Sequence, residues 1–426
     1  MSFFGVDSMK KICLLILKLI ITGICIGLMI SGFLYVSHIF IHFSVDLFTQ
    51  KNLPLILLFA LSSFIFAYIS SFLLSKDTYI VGSGIPQLEG VIKKDWKNPR
   101  WYVTIPLLLL NSWITFFCGL SLGGEGPCVA LGGNMAIASN QICKQEDKEF
   151  VAIGCGVGFG CALLAPLAGI VYIYEECLHH FSYKSLWKAI LVMASAYLVI
   201  YFLHNEPILP IVVNESIEFS KSYIYLGLIP LCTLLGILFN KFVLILKDFT
   251  KKHENNWFIS HRIYFIFLIS ILILVFYPLL SGSGNIIISK LFEFKNVFFV
   301  LLLLFLKFIL ILLGNNSSAT GGIVIPIFTL GGLLGLSYGL IFIYLEIIDL
   351  SQLPILVMVS MITLFSVINQ SPLTSIVLIG SLIGWPLFMH FEVIIPIIIV
   401  ILCSHYLSKF FLKTDLYDSI LEKLSE

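Results

Sequence analysis

The sequence predicts an all-α, polytopic membrane protein of inverted-topology internal repeats, its helices tilted and broken. Three observations carry this. Hydrophobic residues make up 59% and charged residues 12% of the chain, with mean hydropathy +1.03, about half the charge of a soluble domain. The charge-free runs are uneven: some are too short for the ~20 residues a span needs and others are longer than one span. Third, three motifs recur in order at nearly one spacing. Gly82-Ser83-Gly84 is echoed by Gly282-Ser283-Gly284, Pro127 by Pro326, and Ala165-Pro166-Leu167 by Ser371-Pro372-Leu373. Short, interrupted segments in matching places of two halves are a transporter signature.

Taken in order, Lys10 and Lys11 precede an apolar run to about Phe43, broken by Lys18. That run is too long for a signal-peptide core and reads as a retained first helix. Residues 1–17 form an N-terminal segment, 18–205 the first membrane repeat, 206–221 a connector, 222–412 the second repeat and 413–426 a short tail. The connector holds Glu206, Glu215 and Glu218 and no lysine or arginine before Lys221. Basic residues cluster at Lys93/Lys94/Lys97/Arg100, Lys144/Lys148, Lys247/Lys251/Lys252/Arg262 and Lys409/Lys413. The positive-inside rule puts these clusters and both termini in the cytoplasm, the connector outside, and an odd number of crossings in the first half.

Net charge is +1, which gives no support to nucleic-acid binding. The ten cysteines are scattered without a CxxC, so neither a metal site nor a disulfide framework is indicated and they read as small packing residues. There is no HExxH, and the chain is read as a transporter rather than an enzyme. Glu176-x-x-His179 is the spacing used by di-metal carboxylate enzymes, but no second copy sits on an apolar helix.

The chemistry concentrates where apolar sequence meets glycine and proline. Trp101 to Cys143 contains one charged side chain, Glu125, inside Gly123-Gly124-Glu125-Gly126-Pro127. A carboxylate at membrane depth faces protein or a water-filled path, and irregular backbone survives there only under the same conditions. Gly82-Ser83-Gly84-Ile85-Pro86 and Gly321-Gly322-Ile323-Val324-Ile325-Pro326 share the pattern. Proline suits the first helical turn and glycine admits a ligand to the backbone. Each motif therefore predicts a helix N-terminus with unpaired N–H groups and partial positive charge. Three such ends aimed at one place bind an anion without a lysine or arginine in any motif. The competing reading is that the glycines only permit close helix packing.

These motifs resemble the three signature loops of the ClC family of chloride channels and Cl⁻/H⁺ antiporters. Ala165-Pro166-Leu167-Ala168-Gly169-Ile170 with Glu175-Glu176, Ser371-Pro372-Leu373-Thr374, and Leu416-Tyr417-Asp418-Ser419-Ile420-Leu421 extend the likeness over nearly the whole chain. The resemblance implies a homodimer with one anion pathway per subunit, chloride as transported ligand, protons as the second substrate, and no cofactor. It implies that Ser83 and Tyr417 supply hydroxyls to a central chloride, beside Gly84 and Ile85 of the serine loop. The amides of Ile323 and Val324 complete that site, and those around Gly124 and Gly126 form a more external one. Glu125 is then the gate, blocking the anion position when ionised and leaving it when protonated. Glu176 matches the glutamate that passes protons in the antiporter branch; Glu175 is the alternative carrier, and a plain helix end is the structural one. Two departures favour a passive channel instead. The family usually has arginine at Gly124 and phenylalanine at Val324. Ser83 goes with chloride rather than nitrate, and the intact loops argue against fluoride. The short tail implies a bacterial-type member, without a CBS regulatory domain, in the plasma (inner) membrane. Glu89 is expected as a buried structural carboxylate, and Asn315 to Ser318 as capping and packing residues.

Overall fold

A computed structural model describes residues 3–50, 52–203, 221–412 and 414–425. The acidic connector lies almost wholly outside them. Helix α1 spans Phe3–Thr49, α2 Leu53–Lys76, α3 Ile85–Lys93, α4 Trp101–Phe117, α5 Glu125–Ile142, α6 Lys148–Ala162, α7 Pro166–Tyr172 and α8 Tyr183–Leu203. The second half contains α9 Tyr223–Leu226, α10 Leu228–Lys252, α11 Trp257–Ser260, α12 Arg262–Phe276, α13 Asn285–Ser289 and α14 Val297–Asn316. It continues with α15 Val324–Tyr344, α16 Leu353–Asn369, α17 Pro372–Ile383, α18 Trp385–Phe388 and α19 Phe391–Lys409, and α20 Leu416–Ser425 closes the chain. Among the described residues, eight helices are long and apolar enough to cross a membrane. Helices α4, α12 and α17 are apolar but shorter, which is why hydropathy alone miscounts the crossings.

The apolar sequence sorts by burial into a periphery and a centre. Only 28% of the most apolar window of α1, α2 or α8 is buried, against 89% for α15 and α16. A helix that is apolar all round and buried all round is core. Close packing there uses small residues: α5 lies on α6, and α15 on α16. Helix α1 runs unbroken through residues 17 and 18, with 47 residues or about 70 Å of length. Lys18 pins it to the far end of α5, donating to Asn140 Oδ1 at 2.9 Å and Gln145 Oε1 at 2.8 Å.

The inverted repeat is visible in backbone that sequence patterning does not report. Gly123 N donates to Gly322 O at 2.8 Å and Gly322 N returns a bond to Gly123 O at 2.6 Å. These are equivalent residues, each lying between equivalent helices, and they pair antiparallel. A local two-fold axis therefore passes between them. The reciprocity extends outward: Gly82 N bonds to Ser318 O, and Gly282 N bonds to Gly119 O. Positive φ recurs at matched positions, Gly82 (65°) with Gly282 (66°), Gly119 (70°) with Ser318 (66°), and Leu164 (53°) with Gln370 (57°). The halves are unequal in one place, since α13 has 5 residues where α3 has 9.

Candidate functional site

Capping chemistry separates the structural helices from those that build the site. Asn52 caps α2, Asp147 caps α6 and Asn296 caps α14, each accepting a backbone N–H. Helices α3, α5 and α15 begin at Gly84, Gly124 and Ile323 with no side-chain cap. Their first-turn N–H groups keep their partial positive charge for something else. All three start at the glycine motifs, as the sequence predicts.

The three ends converge because glycine lets them touch. A Cβ on Gly126 would lie 2.7 Å from Gly322 Cα and 2.8 Å from Ser83 Cβ. Gly84 sits at φ +73°, and a Cβ there would lie 2.9 Å from Ala130 Cβ. Buried polar residues hold the loops from behind. Asn111 Nδ2 donates to Thr320 Oγ1 at 2.6 Å, and Thr320 Oγ1 donates to Ile80 O at 2.6 Å. Arg262 donates to Asn316 O and to Ser318 Oγ, both at 2.8 Å, and Ser318 O in turn receives Gly82 N.

Glu125 is the first residue of α5 and is buried. Its carboxylate crosses to the other half, where Oε2 accepts the N–H of Ile325 at 3.4 Å. It also faces the N–H groups of Gly124 and Glu125. The acid thus caps α5 and α15 at once. Ile323 and Val324 are buried at the start of α15; the amide that meets the carboxylate is the next one, Ile325, which sequence reasoning did not single out.

Beside these loops lies a cavity of about 50 Å³ whose walls include Ser83, Gln87, Lys247, Ser318, Ile323 and Tyr417. Ser83 and Tyr417, 334 positions apart in sequence, meet there. The Tyr417 hydroxyl is buried without a hydrogen-bond partner. Ser83 Oγ accepts Ile85 N at 3.3 Å, which leaves its own O–H to donate into the cavity. That bond uses the Ile85 amide, and Gly84 N bonds to Val81 O at 3.4 Å. Both bonds shape the turn that presents Ser83.

Glu175 and Glu176 sit together in a single π turn, Ile173–Cys177, that extends α7, and they diverge. Glu175 accepts Leu373 N at 2.8 Å and Thr374 N at 2.6 Å, capping α17 with both oxygens. Glu176 is buried beside Ser371 and leaves Oε1 without a partner. The Tyr417 ring lies within electrostatic reach of Glu176, Glu89 and Glu125. Among the described residues, the one group of three ligands close enough to share a metal is His179, Asp415 and Asp418. Glu176 is not in it, so the Glu-x-x-His spacing does not form a di-metal pair. Glu89 is buried, with Oε1 3.7 Å from Lys93 Nζ and Oε2 unpartnered. Ser317 caps the end of α14, its Oγ bonded to Gly314 O.

The sequence reading also passed over Lys307. It is wholly buried in α14 and donates to Leu280 O at 3.2 Å and Gly282 O at 2.7 Å. No cation lies in the glycine motifs, but one stands behind their second-half echo. Its isolation between the apolar runs on either side of it was the available signal.

Comparison with known proteins agrees with this architecture. The chain is 28% identical over 424 residues, 95% of its length and 88% of the relative's, to the H(+)/Cl(-) exchange transporter ClcA of Vibrio cholerae serotype O1. It is 26% identical over 388 residues, 87% of this chain and 80% of the relative, to the protein of that name from Vibrio parahaemolyticus. The fold superposes on a slow cyanobacterial Cl⁻/H⁺ antiporter with TM-score 0.86 at 21% identity, covering 96% of this chain and 97% of that one. A CLC-type fluoride/proton antiporter gives TM-score 0.79 at 20% identity, with 98% and 99% covered. Residues 66–409 match the family described as Voltage gated chloride channel, and with that match over most of its length the chain belongs to the ClC family.

Proposed function

We propose that this protein exchanges chloride for protons across the membrane, with Glu125 as the gate and Glu176 as the proton's other station. The observation that carries the reading is the Glu125 carboxylate on the Ile325 amide, where two helix ends whose N-cap residues supply no side-chain cap meet. An anion and this carboxylate compete for the same N–H groups. Ionised, Glu125 holds the position; protonated, it loses most of that attraction and yields to chloride. Ser83 and Tyr417 then receive the anion through hydroxyl donors, with the amides of Ile323 and Val324. Those around Gly124 and Gly126 serve an outer position. Glu176, buried with a free oxygen, accepts protons on the side away from the gate. The relatives named as H(+)/Cl(-) exchange transporters support exchange over passive conduction.

The reading includes an orientation and an assembly. Both termini face the cytoplasm of a plasma (inner) membrane, and the 206–221 connector faces outside, dividing repeats 18–205 and 222–412. Two copies associate through α7 and α17, which pack on each other within one chain and leave Leu167 half exposed and Leu373 more than half exposed.

Purified protein in liposomes tests exchange. An imposed chloride gradient should drive protons against their own gradient. Chloride flux without proton movement would support the passive channel, the reading that Gly124 and Val324 favour.

A further inference from the structure

Away from the gate, the last helix carries ionisable groups that the exchange reading does not use. Asp415 opens α20, and its Oδ1 accepts the N–H of Asp418 at 2.6 Å. The oxygens of Asp415 and Asp418 and a ring nitrogen of His179 lie within 4.8 Å of one another. Lys93 fills the cation position among them. Its Nζ is 2.8 Å from Asp418 Oδ1 and 2.8 Å from His179 Nε2, and 3.7 Å from Glu89 Oε1. A bound metal would have to displace that ammonium, so the group is a proton site rather than a metal site.

Exposure grades through the group. The side chains of His179 and Asp418 are 45% and 25% exposed, whereas Asp415 is 9% and Glu176 3% exposed. The series runs from water toward the buried Glu176, whose charge interacts with that of Asp415. Glu176 and Glu89 each keep a buried oxygen without a hydrogen-bond partner. His179 Nε2 faces two incompatible partners. Unprotonated, it accepts from Lys93; protonated, it donates to Asp418, 3.2 Å away. The charged groups facing the site are Glu89 and Lys93 on α3 and Glu175, Glu176 and His179 after α7. On α10, Asp248 pairs instead with Lys423 near the end of α20.

We propose that Asp415, with Asp418 and His179, is the loading station that hands protons to Glu176, Lys93 serving as fixed counter-charge; this rests on the exchange reading. A proton from water is taken up by His179. It moves to Asp415, leaving Asp418 as a carboxylate paired with Lys93. Asp415 then passes it to Glu176 and returns to a carboxylate. Only O–H and N–H bonds form and break, and each donor ends one proton poorer. Burial, and next the Asp418 charge, push the Asp415 carboxyl up to about 6, where a carrier both takes up and releases protons near neutrality.

The test uses the full chain in liposomes, with chloride and proton fluxes recorded together. Asp415→Asn keeps an acceptor for the α20 N-cap but cannot carry a proton. Proton movement per chloride should fall at least about tenfold, below what a positioned proton carrier contributes, and Asp415→Glu should restore it. Asp418→Asn, which does not touch the cap acceptor, should shift the pH profile of proton flux. If the wild type couples and both asparagine variants couple with its stoichiometry and pH profile, the station is overturned. If the wild type itself moves no protons, the exchange reading fails first, and the two failures are told apart.

Discussion

Among the described residues Glu125 has no positively charged partner; what receives it is backbone. A carboxylate held by N–H groups is held strongly enough to block an anion and weakly enough to leave when protonated, since neutralising it removes the charge-assisted part of each bond. Glu125→Gln should therefore abolish proton coupling and make chloride flux insensitive to pH from about 4 to 8, a range spanning carboxylate titration. Paired flux measurements check this; coupling that persists would reject the gate. The residue's singularity in the apolar tract was legible from sequence, and so was its loop. Its contact with Ile325, 200 positions away, was not, because no local pattern records which helix end lies opposite.

At the scale of single helices, Glu175 shows how a side chain's role depends on its neighbour. Its two bonds to α17 amides are the kind of cap usually supplied by Asp, Ser or Asn within the helix's own chain. Glu175→Ala should cost about 1–2 kcal/mol and lower the melting temperature in detergent, with little change in proton coupling. Helix α20 supplies a pH signature. The folded Asp415 carboxyl is raised to about 6 from 3.8, so its contribution is present below pH 3.8 and is lost as pH rises toward 6. Asp418 has the opposite sign. Burial works against its charge, but His179 and Lys93 hold its carboxyl well below the usual range, and its contribution is lost only in strong acid. Asp415→Asn should thus be more stable than the wild type above pH 6, by on the order of 2 kcal/mol, with the difference gone near pH 4. Melting curves at the two pH values decide it.

Over the whole molecule, the repeat builds the proposed anion site out of two halves, neither of which could close it alone. The two-fold axis at Gly123 and Gly322 brings the N-termini of α5 and α15 face to face, and α20 returns Tyr417 beneath them. Dimer association through α7 and α17 predicts a mass of two subunits in mild detergent. Tryptophan substitution of the exposed Leu167 and Leu373 should shift it to one, as measured by light scattering. A monomeric wild type would remove this interface from the reading. Sequence alone determined the helical membrane class, the two halves and the three loops, because hydropathy, glycine and proline act on the backbone locally. The tertiary structure decided what those loops face. It separated Glu175 from Glu176, placed Lys307 behind the second-half loop, and gathered Asp415, Asp418, His179 and Lys93. Each of these depends on side chains brought together from distant positions, and the partner of a buried polar group is set by packing rather than by its neighbours along the chain.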